Sequence, residues 1–284
     1  TASIAIKSTR FWGEMKLDLI HLAVVAVVQG ITEFLPVSSS GHLVLVPLFM
    51  QVSDQGLIID VAVHVGTLGA AILYFWRDVF AMVGGLGRMI KGRRDPGANL
   101  AGLLVLGTIP VLAAGYVLNQ YFPQGIRSLE VIGWTTLGFG LLLLIADQTG
   151  MTLRRIEHLR IGDVIIIGLV QTLALIPGTS RSGICMTAGR MMGMERSEAA
   201  RLAMLLGIPA IAGAGVLKGW ELYKLGDAQL SADTLLSGGL AFVTALIAIA
   251  LMMSWLRRAS FTVFGVYRLL LGGFLLAIAY GWIG

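Results

Sequence analysis

Between Gln29 and His42 the chain reads Q-G-I-T-E-F-L-P-V-S-S-S-G-H, placing a carboxylate, an imidazole and a run of hydroxyls between two apolar runs, Leu17 to Val28 and Leu43 to Met50. A charged side chain at the centre of a bilayer costs about 2.5 to 3.5 kcal/mol on insertion-derived scales, so an ionisable residue inside an apolar segment marks a candidate functional site. Gln29, Thr32 and Glu33 fall at i, i+3 and i+4 and share one helix face. Pro36 removes a backbone donor and disfavours the helical basin for Leu35, which stops that helix. Ser38, Ser39 and Ser40 are residue types that cap a new helix, and Gly41 lets backbone approach a ligand closely. Such a broken helix aims free N–H groups and the positive end of its dipole at an anion such as phosphate.

A second stretch repeats the pattern. Pro177 to Gly183 (P-G-T-S-R-S-G) interrupts the apolar runs Ile161 to Ile176 and Ile184 to Met194. Laid on the first stretch at an offset of half the chain, Gln171 meets Gln29, Ser180 meets Ser38, Ser182 meets Ser40 and Gly183 meets Gly41, with the prolines one residue out of step. If the tips meet, one site holds Glu33, Ser39, His42 and Arg181, with further hydroxyls at Ser38, Ser40, Thr179, Ser180 and Ser182. Arginine's planar fork matches a phosphate bidentately. Glu33 lacks the carboxylate companions for an all-protein metal cage, but one carboxylate plus substrate phosphates is a usual way to hold Mg2+. His42, three residues after Ser39, is placed to take a serine proton, which implies attack on phosphorus with Arg181, the metal and helix N-termini stabilising the charge.

Each residue also has a plainer reading. The serine run caps helices in most proteins, His42 and His64 are ordinary as hydrogen-bonded interior histidines, and Gln29 bridges helices as buried amides do in membranes. Met186, Met191, Met192 and Met194 read as soft packing, Cys185 as a small buried apolar residue, and Arg190, Arg196 and Arg201 as interfacial anchors that snorkel. Glu33 and Arg181 resist such readings, because each needs a partner at depth and each sits at a helix break.

The elements that must position these residues follow from composition. With 56% hydrophobic and 13% charged residues and a mean hydropathy of +0.84, the chain reads as a polytopic all-α membrane protein. The net charge of +5 sits mostly in short loops and speaks to membrane orientation, not to nucleic acid. The one cysteine excludes an internal disulfide and a cysteine metal cluster. Residues 1–14 lack an apolar signal core and read as an N-terminal extension or an expression remnant, with Met15 a candidate start. Spans are expected at Leu57 to Trp76, Leu100 to Leu118, Val131 to Ala146, Ala199 to Leu217, Leu235 to Leu256 and Phe261 to Ile283. Gln51 to Gly56, Gly84 to Asn99, Asn119 to Glu130, Asp147 to Arg160 and Lys224 to Asp233 are expected as turns and loops. This gives six spans and two re-entrant segments in one domain, 15–284, built as inverted repeats of about 15–147 and 148–284. The basic clusters Arg88 to Arg94, Arg154 to Arg160 and Arg257 to Arg258 then share the cytoplasmic side; Lys7, Arg10 and Lys16 fit that placement poorly.

The two stretches, with F-W-R (Phe75 to Arg77) and the Tyr267–Arg268 pair, resemble the signature motifs of the bacterial undecaprenyl-diphosphate phosphatases linked to bacitracin resistance, from Met15 to the C-terminus. The resemblance implies a multi-pass inner-membrane hydrolase, dependent on Mg2+ or Ca2+. It would convert undecaprenyl diphosphate to the monophosphate and inorganic phosphate, recycling the lipid carrier of cell-wall synthesis. It further implies a homodimer with a periplasm-facing site. Glu33 becomes the metal-linked acid, Ser39 and His42 the hydroxyl and its proton partner, and Arg181 the diphosphate clamp. Gln29 stands where the motif also admits Glu, so metal binding rests on Glu33. A lipid-phosphate transporter or flippase using the same midplane site is the alternative. A second alternative, a histidine-dependent lipid phosphatase, needs a histidine and an aspartate downstream of the arginine; neither follows Arg181 at suitable spacing, and no histidine lies beyond His158.

Overall fold

The computed structural model describes residues 19–50, 57–121, 128–150, 152–225 and 232–283. Residues 1–14 with Met15, the Gln51 to Gly56 turn and the centre of the Lys224 to Asp233 loop lie outside them. The described chain is helical, without strands beyond a single bridge between Arg154 and Met194. In order the helices are α1 (Leu19–Thr32), α2 (Ser39–Leu43), α3 (Leu45–Met50), α4 (Leu57–Tyr74), α5 (Trp76–Ile90), α6 (Pro96–Tyr121) and α7 (Leu129–Thr149). They continue with α8 (Ile161–Gln171), α9 (Arg181–Met191), α10 (Arg196–Leu225), α11 (Ala232–Leu256) and α12 (Thr262–Ala279). Among the described residues α6, α7, α10, α11 and α12 are each long and apolar enough to cross a membrane, and the bent pair α4–α5 makes a sixth candidate.

Sequence and structure part company at that bend. The expected span Leu57 to Trp76 stops at Tyr74, and the chain turns by 81° into α5, where a basic loop from Gly84 to Asn99 is expected; only residues 91–95 are loop. The glycines that suggest a loop serve helix contact instead. A Cβ at Gly85 would lie 2.5 Å from the Ala98 nitrogen and one at Gly97 2.2 Å from the Ala81 carbonyl, so α5 and α6 touch backbone to backbone. The same device closes other crossings: a Cβ at Gly66 (α4) would meet the Gly238 carbonyl (α11) at 2.1 Å, and one at Gly168 (α8) the Gly107 carbonyl (α6) at 2.5 Å. Helix α1 lies on α11 through Gly30, whose Cβ would be 1.9 Å from Thr244 Oγ1.

The core surrounds α9, whose residues from Ser182 to Arg190 are all buried. Its Ile184 and Met186 pack in one apolar cluster with Phe34, Leu143, Met204 and Ile249. At one end of the bundle, Arg190, Arg196 and Arg201 are not snorkelling anchors. Arg190 is fully buried and donates from Nε to Asp147 at 3.2 Å, Arg196 donates to the same carboxylate at 2.7 Å, and the Phe261 N–H donates to it at 2.9 Å. Arg201 pairs with Asp78 and Glu198. Burial leaves the Arg190 guanidinium no route to water, and Arg196 and Arg201, though partly exposed, also take internal carboxylates. Outside the spans, Arg88 donates to Asp95 at 2.6 Å, and this bond holds the Asp95 carboxyl below its ordinary value.

Candidate active site at two broken helices

Ser38 and Ser180, at φ 74° and 67°, are the non-glycine residues with left-handed backbone among those described. Each such conformation costs about 1–3 kcal/mol, so the surroundings must hold it. They do so twice in the same way. Ser38 Oγ accepts from the Gly41 N–H at 3.3 Å and lies 3.1 Å from Ser40 Oγ; Ser180 Oγ accepts from the Gly183 N–H at 3.2 Å and lies 3.2 Å from Ser182 Oγ. The breaks then lock into each other, with the Gly178 N–H donating to Ser40 Oγ at 2.9 Å and Ser182 Oγ donating to the Leu35 carbonyl at 3.0 Å.

Between the tips lies Glu33. Its Oε1 accepts from Arg181 Nη2 at 3.2 Å, and its Oε2 accepts from Gln29 Nε2 at 2.8 Å and from Ser39 Oγ at 3.3 Å. The two charged side chains retain 10% and 15% exposure, enough to meet a ligand entering from one side while staying largely shielded from water. Arg181 is held over the Phe34 ring at 5.8 Å, and Gly207 makes room for it, since a Cβ there would lie 2.4 Å from Arg181 Nη1.

Gln29 is fully buried, and its amide also faces His64 Nε2 at 3.2 Å. Because His64 Nδ1 lies 2.6 Å from the Asp60 carbonyl, which can only accept, Nε2 carries the lone pair and Gln29 donates to it. Gln29 thus gives one hydrogen to Glu33 and the other to His64, leaving its buried Oε1 without a protein partner. The second tip rests on Arg268, fully buried in α12, which donates to the Thr136, Gly178 and Thr179 carbonyls at 3.2, 3.0 and 2.9 Å. Gly183 admits that guanidinium, for a Cβ there would be 2.7 Å from Arg268 Nη1. At Gly41 a Cβ would make only an ordinary 3.5 Å contact, so the protein itself does not demand glycine there.

The structure therefore brings Gln29, Glu33, Ser38, Ser39, Ser40, Ser180, Arg181 and Ser182 into one cluster, with Thr179 buried beside it and its hydroxyl without a protein partner. It does not join Ser39 to His42. Ser39 donates to Glu33, while His42 turns Nδ1 back to the Ser38 carbonyl at 2.7 Å and sets Nε2 2.7 Å from Tyr267 Oη. His64 makes the same contact to the carbonyl four residues before it, so this is the ordinary bond of a histidine to its own helix. His64, Tyr267 and Arg268 are neighbours to which spacing along the chain assigns no role. An arginine in the last apolar span was the available signal.

A family model described as bacitracin resistance protein BacA matches residues 22–274. A protein of Rhodospirillum rubrum named undecaprenyl-diphosphatase 1 is 52% identical over 269 residues, covering 92% of this chain and 95% of that relative. One of Ruegeria pomeroyi, named undecaprenyl-diphosphatase, is 53% identical over 266 residues, covering 93% of this chain and all of its own. A third, of Jannaschia sp., carries the same name at 51% identity over 266 residues. The match begins inside α1, ends inside α12 and contains both serine tips: the chain belongs to the bacitracin resistance protein BacA family.

Proposed function

We infer that this protein is a membrane phosphatase that hydrolyses undecaprenyl diphosphate to undecaprenyl phosphate and inorganic phosphate, returning the lipid carrier to cell-wall synthesis and conferring bacitracin resistance. The observation that carries the reading is the 3.2 Å pair of Glu33 and Arg181, joining two helix breaks ringed by serine hydroxyls. Arg181, at the first turn of α9, offers a guanidinium and a helix N-terminus to the same anion. Ser39, already donating to Glu33, loses its proton to that carboxylate as its oxygen attacks the terminal phosphorus; the bond to the lipid phosphate breaks, and water releases the phosphoserine. In the alternative, Ser39 and Glu33 orient a water for direct attack. A phosphoserine at Ser39 trapped during turnover decides for the former.

The donor set suits a hard divalent cation. Glu33 offers a carboxylate and Gln29 Oε1 is a buried oxygen without a protein partner, while no three His, Cys, Asp or Glu side chains gather among the described residues. Mg2+ or Ca2+ would be held by Glu33, with Gln29 and the diphosphate oxygens completing the shell. Bound there, it would neutralise charge on the transferring phosphoryl group.

The matching serine geometries and the reciprocal bonds between the breaks support the finer architecture: six spans and two re-entrant hairpins in inverted repeats, the broken helices meeting near the midplane. Arg154 and Arg196 gather by ion pairs at the end of the bundle where α11 turns into α12 beside Arg257 and Arg258; the positive-inside rule makes that end cytoplasmic and turns the site toward the periplasm of an inner membrane. A homodimer is the expected assembly, checked by cross-linking in membranes. The deciding assay is phosphate release from prenyl diphosphates by purified protein in detergent with Mg2+ or Ca2+. Arg181→Ala abolishes release and keeps lipid binding; a wild type that releases nothing overturns the phosphatase in favour of lipid transport.

A further inference from the structure

Tyr267, on α12, reaches His42 of the first tip from a partly exposed position. The Ser38 carbonyl 2.7 Å from His42 Nδ1 has no hydrogen to give, so Nδ1 carries the proton. In the neutral ring Nε2 is then the lone pair, and Tyr267 Oη, 2.7 Å away, donates to it. The two rings lie parallel within 5°, with centroids 5.6 Å apart, which fixes the plane of the imidazole as the bond fixes its edge. Tyr267 is 43% exposed, whereas the other ring nitrogen points into the tip. Ser39 donates to Glu33, so the phenol hydroxyl, not the serine, is the group bonded to the reactive nitrogen of His42.

We propose that Tyr267 is a functional residue of the phosphatase, holding His42 in one tautomer and carrying the proton that His42 exchanges with the cleft. This rests on the phosphatase reading. When Nε2 takes a proton, the Tyr267 O–H bond breaks as an Nε2–H bond forms, and the phenol oxygen takes a replacement hydrogen from a water or a phosphate hydroxyl on its exposed side. One proton moves inward, the donor oxygen is left one proton poorer, and no oxidation or reduction occurs. On the reverse path Nε2–H returns its proton to the phenol oxygen, and the phenol hydrogen protonates a leaving phosphate oxygen.

The test is Tyr267→Phe, which keeps the stacked ring and removes one oxygen. With purified protein and a prenyl diphosphate in detergent, kcat falls at least about tenfold while KM stays within about twofold of wild type. Against a His42→Ala background the same substitution causes no further loss, because the two residues act as one unit. In protein labelled with 15N-histidine, the His42 Nε2 resonance moves toward that of a nitrogen without a hydrogen-bond donor, and Nδ1 stays protonated. An unchanged kcat, an unmoved Nε2 resonance, or full additivity with His42→Ala overturns the proposal. These results differ from failure of the phosphatase reading itself, which is a wild type that releases no phosphate.

Discussion

Glu33 accepts hydrogen bonds from Gln29, Ser39 and Arg181, and a diphosphate oxygen entering the guanidinium competes directly with this carboxylate. Specificity for a doubly charged headgroup follows, since a weaker anion does not displace a carboxylate held at 3.2 Å in a largely buried site. Arg181→Lys keeps the charge but loses the planar fork; phosphate release, measured with saturating lipid, is expected to fall about 100-fold or more, with little recovery over Arg181→Ala. The identities of Glu33, Arg181 and the serines were legible in the sequence because polar groups at a break in an apolar run are costly to bury unless they meet a ligand or one another. Their bonding was not. Ser39 and His42 are three apart and invite pairing, yet the hydroxyl bonds the Glu33 carboxylate and the imidazole bonds Tyr267. Spacing along the chain carries no information about a residue 225 positions away.

At the level of elements, the breaks at Pro36 and Pro177 were plain in the sequence, and α4–α5 was not. Gly84, Gly85 and Gly87 have low helix propensity, but contact between α5 and α6 at Gly85 and Gly97 outweighs it. The apolar Val79, Phe80, Val83, Leu86 and Ile90 then recur at helical spacing beside Arg77, Asp78 and Arg88, which suits a helix lying along an interface better than one crossing it. Glycine does the same work at Gly30, where α1 needs α11 at contact distance to keep Gln29 and Glu33 in place. Gly30→Val inserts atoms where Thr244 Oγ1 would be 1.9 Å and the Ala241 carbonyl 2.7 Å away. A loss of about 1–3 kcal/mol is expected, read as a lower thermal midpoint in detergent, with a fall in phosphate release as the carboxylate shifts.

Across the whole molecule, one buried carboxylate gathers the end of the bundle distant in sequence from the first tip. Asp147 at the end of α7 holds Arg190 of α9, Arg196 of α10 and the backbone before α12. Asp147→Asn removes the buried carboxylate that Arg190 and Arg196 share and is expected to cost about 3–5 kcal/mol, seen as a large drop in the thermal midpoint. Arg155 and Glu195, paired at 2.9 Å but 62% and 34% exposed, contribute little; Glu195→Gln is expected to leave that midpoint within about a degree or two.

The Glu33–Arg181 pair also spans 148 residues, and the serine bonds that lock the two tips together span 138 and 147. While the ribosome is still making the second half, the inserted first half carries a carboxylate in lipid with no guanidinium to meet it. That acid meets the guanidinium it pairs with only when the later helices dock. Insertion of the chain and assembly of its chemistry are therefore separate events, and an intermediate halted between them is present in the membrane yet inert.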